Sequence, residues 1–159
     1  MKALLQRVTS AAVAVDGVEL SRIERGFLIL LGVKRGDDEE DARVLAEKIA
    51  KFRVFSDENG KMNKSVKDIG GSLLVVSQFT LCANYAHGNR PDVLDAEAPA
   101  RANELYEHFV SLLRAQDIPV GTGSFGADMQ IALVNDGPVT VMMESDVLRK
   151  NNPKRSVDG

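Results

Sequence analysis

The sequence predicts a single α/β domain, a mixed β-sheet covered by two main helices. Three observations carry that reading. Phe27-Leu28-Ile29-Leu30-Leu31, Leu73-Leu74-Val75-Val76 and Ile131-Ala132-Leu133-Val134 are apolar at consecutive positions, as strands buried on both faces are. Two other stretches repeat their apolar residues at helical spacing and fall between those strands. Finally, 159 residues, 44% hydrophobic and 27% charged, is the size and composition of one ordinary globular domain.

The elements follow in chain order. Val13-Ala14-Val15-Asp16-Gly17-Val18-Glu19-Leu20 is a hairpin signal, with Asp-Gly suited to a type I′ turn. In the strand before it, Leu4 and Val8 share one parity, Val13 and Val15 the other, so a bulge or bend is expected near Thr9-Ser10. The first helix is expected from Asp38 to Phe52. Asp37 and Glu40 form a capping-box-like start, Leu45, Ile49 and Phe52 the apolar stripe, and Glu47 and Lys51 an i,i+4 pair. Asp57-Glu58-Asn59-Gly60 reads as a turn, and Gly70-Gly71 introduces the central strand. The second helix starts near Pro99, a favoured first-turn residue, with Ala102, Leu105, Phe109, Leu112 and Leu113 as its stripe.

Charge divides the chain at about residue 145. The formal net charge is −3. Residues 146–159 hold four basic and two acidic groups, a net of +2, which leaves −5 on residues 1–145. The domain is therefore expected over 1–145, with 146–159 a polar, flexible C-terminal tail. No apolar run approaches the ~20 residues of a membrane span. A single cysteine, Cys82, and two histidines argue against a disulfide or a metal centre. A cytoplasmic protein without metal or cofactor is expected, and the acidic balance speaks against coating long nucleic acids.

Chemistry is concentrated in two places. Ser77-Gln78-Phe79-Thr80-Leu81 brings hydroxyls and an amide to the end of a fully apolar strand, where they are placed to line a pocket. The alternative is that Ser77 and Thr80 satisfy backbone groups as the strand ends. Asn135-Asp136-Gly137-Pro138-Val139-Thr140 separates two apolar runs. It reads either as a tight hairpin or as a turn whose carbonyls face a ligand, since proline removes a donor. Such a turn suits an ammonium rather than a phosphate. Gly121, Gly123 and Gly126 lack the strand-turn-helix context of a dinucleotide fingerprint. A Thr80 nucleophile would need a base, and neither His87 nor His108 has an evident orienting partner.

At these clusters the sequence is similar to the D-aminoacyl-tRNA deacylases, over nearly its full length to about Ser145. Ser77-Gln78-Phe79-Thr80-Leu81, Gly88-Asn89-Arg90-Pro91, Phe125-Gly126-Ala127-Asp128-Met129 and Leu133-Val134-Asn135-Asp136-Gly137-Pro138-Val139-Thr140 carry the resemblance. It implies a partly barrel-like sheet and a homodimer with its active site at the interface. It also implies hydrolysis of the ester joining a D-amino acid to the 3′ acceptor end of tRNA, with no cofactor. Thr80, Ser77 and Gln78 would form the catalytic wall, with Phe79 beside them. Gly137-Pro138, with a cis bond, would reach into the partner's pocket, braced by Arg7, and Phe125 and Met129 would lie near the terminal adenosine. Rejection of L side chains by rigid backbone leaves glycine unexcluded, so glycyl-tRNA is expected to be vulnerable. The alternatives are a deacylase for other mischarged tRNAs and a non-catalytic acceptor-end binding module. Arg149, Lys150, Lys154 and Arg155 would assist tRNA binding from the tail.

Overall fold

The computed structural model describes residues 1–150 of the chain. β1 (Lys2–Val15) and β2 (Val18–Ile23) form the expected hairpin, with φ of 51° at Asp16 and 79° at Gly17, the two positive values of a type I′ turn. β3 (Gly26–Gly32) follows β2 along the same edge of β1. After α1 (Glu39–Lys51), β4 (Phe55–Ser56) and β5 (Met62–Lys64) pair across the Asp57–Gly60 turn. β6 (Ser72–Ser77) leads into a 3₁₀ turn at Phe79–Cys82, then α2 (Pro99–Arg114), β7 (Val120–Thr122), β8 (Gln130–Glu144) and α3 (Ser145–Lys150).

The main sheet has the order β2-β1-β3-β6-β7, antiparallel around β1 and parallel from β3 through β6 to β7. β8 runs antiparallel along the other edge of β1, with register shifts between Gln6 and Val8 and between Val8 and Ser10. This is the bend that the change of parity required. β2 also packs against β6 and β7, so the sheet curls into a nearly closed barrel. The approach is tight enough that a Cβ on Gly121 would meet Ser21 Oγ at 2.1 Å. A side chain there would require the Ser21 hydroxyl to turn away.

Two cores explain the two-sided strands. Phe27, Ile29, Leu31, Leu73 and Val75 pack with α1 and α2 on one face, whereas Leu28, Leu74 and Val76 join Val8, Val13 and Ile23 inside the barrel. A fully buried side chain of this size contributes about 1.5–3 kcal/mol. β6 is buried on both sides along Leu73–Val76, so the polar residues that follow start from a fixed platform.

Four expectations need correction. Ile131–Val134 is not buried on both faces: Ala132 and Val134 are exposed, because nothing among the described residues covers the outer side of β8. The cap of α1 is Asp38, whose carboxylate accepts from Glu40 and Asp41 N–H while Asp41 accepts in return from the Asp38 N–H. Asp37 is engaged elsewhere, accepting from the Met1 ammonium at 2.9 Å and the Lys34 N–H at 2.6 Å. Glu47 pairs with Arg43 at 2.9 Å rather than with Lys51. The tail reading fails over its first residues, which form the helix α3. Arg149 binds the carboxylates of Asp38 at 2.8 Å and Asp41 at 2.7 Å, so it is not free for RNA. Residues 151–159 lie outside the described residues.

Candidate active site

A cleft of about 760 Å³ opens at the C-terminal end of β6. The chain passes its wall twice, first at Val76–Phe79 and again at Ala96–Pro99, and the Phe125–Met129 segment closes the far side. Gln78 is anchored by its N–H to the Leu31 carbonyl at 2.8 Å. Ser77 and Gln78 are half-buried there, while Phe79 is 59% exposed over the opening. Thr80 stands on the shoulder outside the lining, accepting a hydrogen bond from the Gln78 side-chain amide. Among the described residues no histidine or carboxylate is hydrogen-bonded to Ser77 or Thr80. Neither hydroxyl has the base that would turn it into a nucleophile.

Tyr106 forms part of the apolar floor and does not stand out in the sequence reading. Its hydroxyl donates to the Val75 carbonyl at 2.6 Å, and its ring lies 6.1 Å from that of Phe125. Burial pushes the phenol up to about 12, so it remains a protonated donor at neutral pH. The signal is there in principle: a phenol adjacent to Leu105, on a stripe otherwise apolar, needs a partner for its hydroxyl. Arg35, at the rim of the same cleft, likewise escapes a reading by motif.

The second cluster is built differently. Gly137 and Pro138 are joined by a cis peptide bond and sit within a continuous β8 rather than at a hairpin, both of them exposed. Arg7 braces this knuckle from β1. Its Nε donates to the Asp136 carbonyl at 3.0 Å and its Nη1 to the Val54 carbonyl at 2.6 Å. Asn135 completes the brace, accepting from the Val139 N–H at 3.0 Å and donating to Thr140 Oγ1 at 2.8 Å. Gly137 has φ 133°, and a Cβ there would meet Arg7 Nη2 at 3.0 Å and Val139 Cγ2 at 2.9 Å. The position admits glycine only.

The structure thus gathers Ser77, Gln78, Phe79, Phe125 and Met129 into one cleft and leaves Arg7, Gly137 and Pro138 on a separate knuckle. Among the described residues no three His, Cys, Asp or Glu side chains converge as metal ligands. Among them too, no helix is long and apolar enough to cross a membrane.

A family model described as D-Tyr-tRNA(Tyr) deacylase matches residues 4–144. The chain belongs to that family. It is 55% identical over 145 residues to the D-aminoacyl-tRNA deacylase of Paracoccus denitrificans, covering 91% of this chain and 97% of the relative. The D-aminoacyl-tRNA deacylase of Pelobacter propionicus is 53% identical over 144 residues, with coverage of 91% and 99%. Among solved structures, a c-Myc DNA Unwinding Element Binding Protein superposes with a TM-score of 0.85 at 42% identity, covering 91% of this chain and 98% of that one. A probable eukaryotic D-amino acid tRNA deacylase gives 0.74 at 18% identity over 90% and 98%, a likeness of fold. The match to the deacylase family spans both the cleft and the knuckle, and it stops where α3 begins.

Proposed function

We propose that the chain is a D-aminoacyl-tRNA deacylase that hydrolyses the ester between a D-amino acid and the terminal ribose of tRNA, and that it works as a homodimer. The observation that carries the dimer is the separation of the two clusters. A braced knuckle lies beyond the cleft of its own chain, on a strand whose outer face is uncovered among the described residues. A second copy would place Gly137-Pro138 opposite Ser77, Gln78 and Phe79.

In that arrangement the Gly137 and Pro138 carbonyls accept the substrate's α-ammonium group. A D side chain then points to solvent, whereas an L side chain collides with backbone that Arg7 and Asn135 hold rigid. Phe125 and Met129 face the terminal adenosine. The aminoacyl ester is intrinsically reactive, so positioning it and stabilising the oxyanion through N–H donors meets most of the chemical demand. Ser77 and Gln78 position the ester and its water, Thr80 holds the Gln78 side-chain amide from outside the lining, and the ribose 2′-hydroxyl supplies the proton relay. Glycyl-tRNA has no side chain to reject and is cleaved as well.

The test is single-turnover hydrolysis of D-tyrosyl-, L-tyrosyl- and glycyl-tRNA by the purified chain, together with its mass in solution. Cleavage of the D and glycyl esters with the L ester intact, by a dimer, is expected. Equal cleavage of both enantiomers would refute exclusion by backbone. Tight binding without hydrolysis would make the chain an acceptor-end binding module instead.

A further inference from the structure

Between its two passes along the cleft wall, the chain leaves on a loop that the chemistry above does not use. The loop, residues 84–92, is closed at its base by paired backbone bonds, Asn84 N–H to Asp92 carbonyl at 2.8 Å and Asp92 N–H to Asn84 carbonyl at 3.0 Å. Asn84 Oδ1 accepts from the Ala86 N–H at 3.0 Å, which shapes the outgoing strand of the loop. Every residue from Asn84 to Asp92 is exposed, and Tyr85, at 84%, is the most exposed of the large hydrophobic residues. An aromatic ring so presented by a pinned loop forgoes its burial. Its neighbours on the loop are His87, Asn89 and Arg90.

Arg90 and Arg35 share an unusual state. The other arginines of the described residues are engaged in ion pairs, as Arg43 and Arg149 are, on backbone carbonyls, as Arg53 and Arg114 are, or over the Phe55 ring, as Arg25 is. Arg35 and Arg90 have no ion-pair or hydrogen-bond partner for their guanidinium groups among the described residues. Arg35 lines the rim of the cleft, and its N–H bonds the Asp95 carbonyl at 2.9 Å, three residues past the base of the loop that carries Arg90. Two guanidinium groups without partners and an exposed tyrosine thus belong to the segments that frame the cleft, whose lining also holds the carboxylates of Glu97 and Asp128.

We propose that this mouth is the grip for single-stranded RNA leading into the cleft, with Tyr85 stacking on a base upstream of the terminal nucleotide and Arg35 and Arg90 contacting its phosphates. Aromatic stacking tolerates any base, and phosphate contacts ignore sequence, so the grip accepts the common 3′ end of different tRNAs. The inference rests on the deacylase reading for its substrate but assigns residues that hydrolysis itself does not need.

Two substrates separate the grip from the chemistry: D-tyrosyl-tRNA and the D-tyrosyl ester of adenosine alone, which ends before the loop. For Tyr85→Ala, KM for the tRNA rises about tenfold with kcat unchanged, and hydrolysis of the adenosine ester stays at the wild-type rate. Tyr85→Trp restores KM, which loss of folding would not allow. Arg35→Ala and Arg90→Ala each raise KM for the tRNA and flatten its dependence on salt, by about 0.7 in the log–log slope for each phosphate no longer held. A readout without catalysis runs in parallel, the binding of labelled single-stranded RNA ending in ACCA, weakened in the same variants. Equal losses on both substrates, or an altered dimer mass in Tyr85→Ala, would overturn the grip. Unchanged RNA binding in all three variants would overturn it too. Should the wild type cleave neither ester while RNA binding still depends on Tyr85, the deacylase reading fails and the grip stands.

Discussion

The cleft at the end of β6 and the knuckle in β8 are made by opposite means. At Val76–Phe79 a strand buried on both faces stops abruptly, and the side chains proposed to carry the chemistry follow on a platform fixed by two cores. At Asn135–Thr140 the atoms proposed to meet the substrate are backbone, and side chains hold that backbone, Arg7 from 129 residues away in sequence and Asn135 from within the segment. The cleft should therefore tolerate loss of a single polar side chain, whereas the knuckle should not tolerate one added carbon. The contrast has a thermodynamic basis. Side-chain positioning is distributed over several weak interactions, but backbone geometry is a single arrangement that any misfit displaces.

The largest effect is expected at Gly137. In Gly137→Ala the new Cβ enters the space of Arg7 Nη2 and Val139 at a φ of 133°, which L side chains rarely adopt. Strain of about 1–3 kcal/mol and a displaced carbonyl pair should lower kcat/KM for D-tyrosyl-tRNA by about 100-fold or more. Arg7→Ala should come next. It leaves the Asp136 and Val54 carbonyls without their charged donor, each such bond being worth about 1.5–3 kcal/mol. Its distinguishing sign is a loosened D/L ratio, read from parallel single-turnover assays of the two tyrosyl esters. An unchanged ratio in Arg7→Ala would show that the knuckle needs no brace.

Thr80→Ala probes the other half of the contrast. Thr80 lies outside the cleft lining and has no base, so the rate should stay within about fivefold of wild type. A fall of about a thousandfold or more would restore Thr80 as a nucleophile and remove the need for the ribose 2′-hydroxyl.

The same contrast decides what is legible from residues alone. The strands β3 and β6 announce themselves because both parities are apolar, and Ser77–Thr80 stand out as polar residues at the end of such a run. β8 looks alike in sequence, yet Ala132 and Val134 are exposed, because composition does not distinguish a face buried within the chain from one that nothing among the described residues covers. The cap of α1 is displaced by one residue through the pull of the Met1 ammonium on Asp37. Tyr106 is hidden among its apolar neighbours. The helix α3 escapes a local reading for a related reason: its polar residues are held by ion pairs spanning 111 and 112 positions, from Asp38 to Arg149 and from Lys34 to Asp146. Local patterns do not carry such distances.

That latch has a pH signature of its own. Burial alone would raise Asp41, but the Arg149 guanidinium, the Asp38 N–H and the Ser145 hydroxyl together bring it down to about 2. A carboxylate lowered in the fold stabilises it above its unfolded value, and that contribution is lost as pH falls from about 4 towards 2. Asp37 acts in the opposite sense. Burial raises it despite the Met1 ammonium, so its protonation favours the fold as pH falls. Arg149→Ala should lift Asp41 towards or above its ordinary value. Acid unfolding followed by circular dichroism should then begin at higher pH, with stability at about pH 7 lower by about 2 kcal/mol. Coincident acid transitions in the two proteins would mean that the latch contributes nothing.

The smallest effect concerns RNA affinity. With Arg149 committed to Asp38 and Asp41, the basic residues of the C-terminal segment that remain for RNA are Lys150, Lys154 and Arg155. Removing residues 151–159 strips a net charge of only +1 and leaves α3 in place. One phosphate contact corresponds to a salt slope of about 0.7 on a single strand, so KM for tRNA should rise about twofold in low salt and not at all in about 0.3 M salt. Removing residues 146–159 instead takes the latch away, and its effect should appear first as lost stability, with KM following only once the fold loosens. A rise in KM that is equal for the two truncations and persists in high salt would trace binding to interactions other than charge. The contribution of the segment would then have to be sought in side chains such as Asn151 and Asn152.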